Sequence, residues 1–255
     1  MERIFEAAKL DVATLPDGLT HLSVYTIRKS DLRRLSGIDR FPLQSLSLRW
    51  LSAPDLTQVP LPETLTTLSL SQSPKLRSLA GLERAPKLTS LFLEDNGCLE
   101  DAGALHSLPD LTTLTILGGT DGGQKIEPLE FLDGLSLTTL SLRAIQGADL
   151  DLGPVARMGS LTEIDIHGPN FRPEELAKVA AAHPAFHEQL MTLEDYPADM
   201  GMRCKKCGGV QKQLFLRKVK GLWCPVCDAA GLAKQLDGFE AMVAAARLDN
   251  PGGAA

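Results

Sequence analysis

The chain has 255 residues, 44% of them hydrophobic, 23% charged and only 5% aromatic. This is the balance of an ordinary soluble protein with room for a sizeable core or two domains, but its interior must be filled by something other than aromatic rings. The net charge of −6 is uneven: residues 1–200 carry 17 Lys and Arg against 28 Asp and Glu, and residues 201–255 carry 9 against 4.

The N-terminal segment Met1–Lys9 is broken by Glu2, Arg3, Glu6 and Lys9, so it holds no apolar run of signal-peptide length. No later run approaches a membrane span either. The expectation is a cytoplasmic chain with no membrane partner. Residues 1–9 are expected to cover one open end of a repeat array that starts near residue 10.

The repeat is carried by leucine. Leu19-Thr-His-Leu22-Ser-Val24 has apolar residues at positions one, four and six. The spacing returns from Leu43, Leu65, Leu88, Leu111, Leu137 and Leu161, at steps of 24, 22, 23, 23, 26 and 24. Position four is Leu46, Leu68, Leu91, Leu114, Leu140 and Ile164, and position six alternates with it as in a short strand. No unit could bury its leucines alone, so the units must stack into a parallel sheet over a continuous leucine core. Between strands, Leu76, Leu79 and Leu82, then Leu99, Ala102, Leu105 and Leu108, recur every three, as in a 3-10 or short helical turn. A degenerate eighth unit is placed at Leu190-Met-Thr-Leu193.

These residues resemble the leucine-rich repeat family over roughly residues 10–195. Leu15-Pro16-Asp17-Gly18-Leu19 and Leu61-Pro62-Glu63-Thr64-Leu65 look like the short bacterial type, and later units look internalin-like. The resemblance implies an α/β solenoid with a concave parallel sheet and 3-10 or short helices on its convex side. It implies no particular target. The chain departs from the family at the ninth position, where Asn is usual: Ile27, Leu51, Ser73, Asn96, Gly119, Ile145 and Pro169 stand there. The asparagine ladder is therefore expected to be mostly absent. Residues 173–182 read as a helix, with Pro173 in its first turn and acids beside it.

Near the C-terminus, Cys204-Lys-Lys-Cys207 and Cys224-Pro-Val-Cys227 form C-x2-C-x16-C-x2-C. Two residues between thiolates let one tight turn present both sulfurs to one ion, and two such turns complete a tetrahedron. Residues 210–216 and 219–223 read as a hairpin, and the whole resembles a zinc ribbon. The Cys-Pro-Val-Cys knuckle also resembles that of rubredoxins, which keeps iron as a less favoured occupant. Paired knuckles in an intracellular chain argue against disulfides. Four protein ligands leave no open coordination position, so one structural Zn²⁺ is expected. Residues 229–248 carry apolar residues at helical spacing, and 250–255 read as a frayed tail. The expected division is a repeat domain over 1–195, a ribbon over 196–230, and a helix and tail over 231–255.

Other chemistry is thinner. Cys98 stands alone, and His183 and His187 have no cysteines nearby and read as loop residues. Gly118–Gly123 lacks the lysine and hydroxyl ending of a phosphate loop and reads as the longer loop of the 26-residue unit. No acid, base and nucleophile converge, so the protein is read as a binding module and not an enzyme. Two partners fit. One is a protein or peptide on the concave face, where Tyr25, Arg49, Phe92, Glu94, Leu117, Arg143, Asp165 and His167 stand out among Thr and Ser, with the ribbon as C-terminal cap or second contact. Units four to six are favoured there, with Phe92 and Leu117 as apolar anchors and Arg49 and Arg143 as charged ones. The other is a nucleic acid, whose phosphates would meet Arg203, Lys205, Lys206, Lys212, Arg217, Lys218 and Lys220 of the ribbon. The sequence leaves the oligomeric state open.

Overall fold

A computed structural model of the chain describes residues 2–97, 99–119, 124–126, 128–147, 150–167, 171–195, 203–214 and 222–249. It divides into two compact units: residues 1–149 with 160–166, and residues 150–159 with 167–255.

The first unit is built on a parallel sheet whose eight strands lie side by side in chain order. They are β1 (Glu2–Glu6), β2 (His21–Ile27), β3 (Ser45–Leu51), β4 (Thr67–Ser71), β5 (Ser90–Glu94), β6 (Thr113–Leu117), β8 (Thr139–Arg143) and β10 (Glu163–His167). Two-residue strands β7 (Gln124–Lys125) and β9 (Ile145–Gln146) pair with each other apart from it. The register repeats the sequence period. Leu22 is level with Leu46, then Leu68, Leu91, Leu114 and Leu140. These leucines and the position-six residues Val24 through Ile166 are buried, as are Leu76, Leu79, Leu82, Leu105 and Leu108 of the connecting turns. The turns Leu82–Arg84, Gly103–Ser107 and Leu129–Leu132 are 3-10, as the three-residue spacing requires. Residues 2–6 add a strand to the sheet edge beside β2.

Five of the strands, β2, β3, β4, β5 and β8, end in the same manoeuvre. Position eight adopts a left-handed backbone, with φ of 56° at Thr26 and Trp50, 50° at Gln72 and Asp95, and 49° at Ala144. The residue turns the chain out of the strand while its N–H still reaches the next one: Gln72 donates to Glu94 O at 2.7 Å and Asp95 to Leu117 O at 2.9 Å.

Position nine shows where the asparagines went. Ile27, Leu51 and Ile145 are buried there as additional core. In units three and four a polar ladder survives. Leu51 N donates to Ser73 Oγ, Ser73 N donates to Asn96 Oδ1, and Asn96 Nδ2 donates to Leu70 O. Where Gly119 offers no side chain, the ladder is continued by Gln124 from the inserted loop. Asn96 N donates to its Oε1 at 2.7 Å, and its Nε2 donates to Gly97 O at 2.6 Å. The ladder is thus longer than the ninth positions alone suggest.

A second ladder runs along position two. The hydroxyl of Thr66 donates to Gln44 O, Thr89 to Thr66 O, Thr112 to Thr89 O, Thr138 to Thr112 O and Thr162 to Thr138 O, at 3.0–3.3 Å. Each of these carbonyls also accepts two backbone N–H groups from the same neighbouring unit. The repeated threonine therefore has a structural role.

The second unit holds α1 (Gly153–Arg157), α2 (Pro173–Ala182), α3 (Pro184–Met191) and α4 (Ala229–Asp249), and a three-stranded antiparallel sheet of β11 (Glu194–Asp195), β12 (Lys212–Gln213) and β13 (Leu222–Trp223). Helix α2 occupies the predicted span with Pro173 in its first turn. Its Glu175 is buried, accepts Leu152 N at the start of α1, and is met by Lys178 at 2.9 Å. The segment read as a degenerate eighth repeat is different: Leu190 and Met191 finish α3, and Glu194–Asp195 pair with β12 of the ribbon. A single turn more of helix there satisfies the backbone locally, which a lone parallel strand could not do. His187 lies within α3, not in a loop, with Nε2 3.3 Å from Glu240. Residues 229–249 form one helix. No helix among the described residues is long and apolar enough to cross a membrane.

Candidate metal centre and binding face

The four cysteines of the two C-x2-C segments converge. Their Sγ atoms all lie within 4.8 Å of one another, and Cys207 Sγ is 3.5 Å from Cys224 Sγ. Tetrahedral zinc, with Zn–S bonds of about 2.3 Å, requires sulfurs about 3.8 Å apart, so the donors fit one ion. The two knuckles are built alike. Gly208 N donates to Cys204 O at 2.8 Å, and Asp228 N donates to Cys224 O at 2.9 Å. Gly208 takes φ of 72°, a left-handed conformation that glycine adopts without a Cβ clash. In the second knuckle, Cys224 N donates to Asp228 Oδ2 and Cys227 N donates to Cys224 Sγ. Strands β12 and β13 hold the knuckles together, with Lys212 level with Trp223. Trp223 and Cys224 are buried.

The sulfurs sense one another. Backbone N–H groups of Lys206 and Cys207 draw the Cys204 thiol down to about 7. The neighbouring sulfurs, Cys207 foremost, push Cys227 up to about 12. Four thiolates this close repel one another, and a divalent cation is what allows all of them to ionise together. These four residues could hold a metal ion such as zinc. In that role the ion would cross-link two knuckles and, with four sulfur ligands, leave no position for a substrate.

The strand face opposite the leucines carries the other candidate residues. Register places Tyr25, Arg49, Ser71, Glu94, Leu117 and Arg143 in one column. Phe92 belongs to the neighbouring column, between Ser69 and Thr115. Tyr25, Arg49 and Arg143 are exposed, whereas Phe92, Glu94, Leu117 and Asp165 are half-buried. Arg143 Nε donates to Asp165 Oδ2, so these two form an ion pair across adjacent strands. The side chain of His167 and all of Cys98 lie outside the described residues, as do Arg217, Lys218 and Lys220. Lys205 and Lys206 are exposed beside the first knuckle.

Reasoning from columns five and seven missed Trp50, at position eight. Its ring is 45% exposed. The Arg49 guanidinium sits over it, Cζ to centroid 4.6 Å, and Tyr25 meets it edge-on at 6.5 Å. Arg49 Nε donates to Gln72 Oε1 at 2.8 Å. The available signal was composition: of two tryptophans in the chain, one adjoins a cysteine knuckle and the other stands in a slot filled elsewhere by Thr, Gln, Asp, Gly and Ala.

No protein-family model matches the chain, and no curated protein matches it.

Proposed function

We propose that this is a leucine-rich-repeat solenoid that binds a protein or peptide on its concave strand face, with a C-terminal ribbon stabilised by one structural zinc ion. One observation supports this above others. The face opposite the leucine core is a regular field of Ser and Thr hydroxyls in which Tyr25, Arg49, Phe92, Glu94, Leu117 and Arg143 are held in adjacent columns by strand register. Aromatic and Arg side chains are the commonest anchors of protein interfaces. The zinc is structural in this reading because the four sulfurs complete its coordination, and the role is binding, not catalysis.

The test begins with partner capture by the intact protein and identification of what is retained. The purified partner is then measured against Phe92→Ala/Arg143→Ala, after confirming an unchanged melting curve. Loss of binding supports the concave face, and undiminished binding places the site elsewhere. A second reading rests on exposed Lys205 and Lys206: the ribbon touches nucleic acid phosphates. RNA or DNA binding that weakens steeply with salt and disappears with the ribbon would favour it.

A further inference from the structure

This inference deepens the proposed role and rests on it. We propose that the binding face is centred on Tyr25, Arg49 and Trp50, and that its partner there is a protein segment carrying an Asp or Glu beside an aromatic or large aliphatic side chain.

Arg49 differs from the arginines that are held by an acid or by a backbone carbonyl. Arg77, Arg143 and Arg172 are paired with Glu100, Asp165 and Glu175. Arg40 and Arg84 donate to backbone carbonyls. Arg49 is fixed instead by neutral groups, the Trp50 ring beneath it and the Gln72 amide oxygen on its Nε. Its strand neighbours in register are Tyr25 and Ser71. No ion pair holds it among the described residues, and its two terminal nitrogens remain for a ligand. A guanidinium already oriented loses little freedom on binding, and its paired N–H groups match the two oxygens of a carboxylate. Beside it, Tyr25 and Trp50 are 37% and 45% exposed. Apolar side chains laid on them would displace water from both rings and from the charge between.

Charge favours a single carboxylate over a polyanion. Residues 1–60 hold eight Lys and Arg against seven Asp and Glu, whereas residues 61–149 hold six against twelve. Along the column from Arg49 the next charges are both acids two strands away, Glu94 on one side and Glu6 on the other. A phosphate chain running along the sheet would meet those acids, while one carboxylate at Arg49 would not. The Ser23, Ser47 and Ser69 hydroxyls of the neighbouring column can hydrogen-bond a peptide backbone but cannot neutralise phosphates.

Trp50 also allows binding to be separated from folding. Its left-handed φ of 56° recurs at Thr26, Gln72, Asp95 and Ala144, so the strand ending imposes it. A bulky residue is the poorest occupant of that conformation, and Asn is among the best. Trp50→Asn should therefore leave the fold intact.

The experiment selects peptides from a random dodecamer display library on the intact protein and measures synthetic copies by fluorescence or calorimetry. The enriched peptides are expected to share an Asp or Glu within two positions of Trp, Phe, Tyr, Leu or Met. Affinity should fall at least about tenfold in Arg49→Gln and in Trp50→Asn with unchanged melting, and should persist in Lys87→Ala on the far turn. Enrichment of peptides without an acid, equal binding to both variants, or no enrichment above bare support would overturn the proposal. If affinity depends on Phe92 and Arg143 alone, the Tyr25 centre falls and the concave-face reading survives. If neither pair matters, both fall. Tighter binding of a twelve-nucleotide homopolymer RNA that is lost in Arg49→Gln would overturn the peptide partner in favour of single-stranded nucleic acid.

Discussion

Gln124 takes the place of a missing ladder residue for Asn96: its Oε1 accepts the Asn96 N–H at 2.7 Å, although 28 positions separate them and no repeat template relates them. Gln124 is only 1% exposed, so its amide is committed to the backbone of units four and five. Gln124→Ala would leave the part-buried Asn96 N–H and Gly97 carbonyl without their side-chain partner. An unsatisfied buried group costs about 1–3 kcal/mol. The expected loss on urea unfolding is therefore about 2 kcal/mol, and a loss below about half a kcal/mol would show that water replaces the amide.

The threonine ladder should behave differently. Thr66 O already accepts Thr89 N and Ser90 N before the Thr89 hydroxyl arrives. A third donor to one carbonyl adds little. Thr89→Val is expected to cost less than about 1 kcal/mol, clearly under Gln124→Ala. The reverse order, measured in the same urea series, would show that the hydroxyls set the strand spacing.

For the cysteine cluster, one equivalent of zinc is expected in purified protein by metal analysis. Structural zinc in small peptides contributes about 10–16 kcal/mol near neutral pH. Cys224→Ser should abolish retention of the metal and unfold residues 203–228, while the parallel sheet keeps its hydrogen-exchange protection. A metal content far below one equivalent of zinc or iron would remove the metal reading.

Acid should loosen the junction of α1 and α2 first. The Gly153 N–H, and then Lys178, hold the Asp151 carboxyl below its ordinary 3.8, against the effect of burial. Its folded-state pKa is lowered, so the stability it adds is present above about 4 and is lost as pH falls through the folded value. Burial lowers Lys178, but Glu175 and Asp151 outweigh it and raise it above 10.5, so its contribution is lost only on going more alkaline than that. Glu175→Ala removes the acceptor of Leu152 N and the partner of Lys178 together. It should cost about 1.5–3 kcal/mol at pH 7, and the acid-induced loss of stability should begin at higher pH in wild type than in an Asp151→Asn background. Identical acid titrations would show that Asp151 does not contribute.

The parts legible in the sequence are those repeated with a fixed period. Leu46, Leu68 and Leu91 declare both their burial and their register, because a one-residue slip would put leucines on the hydroxyl face and the repeat period fixes the rest. The cysteine pairs are legible because tight turns make their spacing a geometric statement. Gln124, Trp50 and Glu194 were not legible for a common reason. Gln124 comes from an insertion, Trp50 stands outside the strand's alternation, and Glu194 and Asp195 find partners nineteen and seventeen positions away. Gln124 and Glu194–Asp195 answer to long-range backbone pairings, and Trp50 to side-chain contacts with Arg49 and Tyr25, none of which leaves a local pattern.

The threonine hydroxyls all donate the same way, each to the unit before it. The join between successive units is therefore one chemical sentence repeated, and length is an adjustable quantity. Excising residues 66–88 would bring Thr89 to the Gln44 carbonyl now met by Thr66, and Asn96 to the Leu51 N–H now met by Ser73. The shortened molecule keeps both ladders across the splice and loses the Arg84 bonds to Leu56 O and Val59 O. A lineage carrying such a chain could gain or lose a rung by unequal recombination without having to invent a new interface.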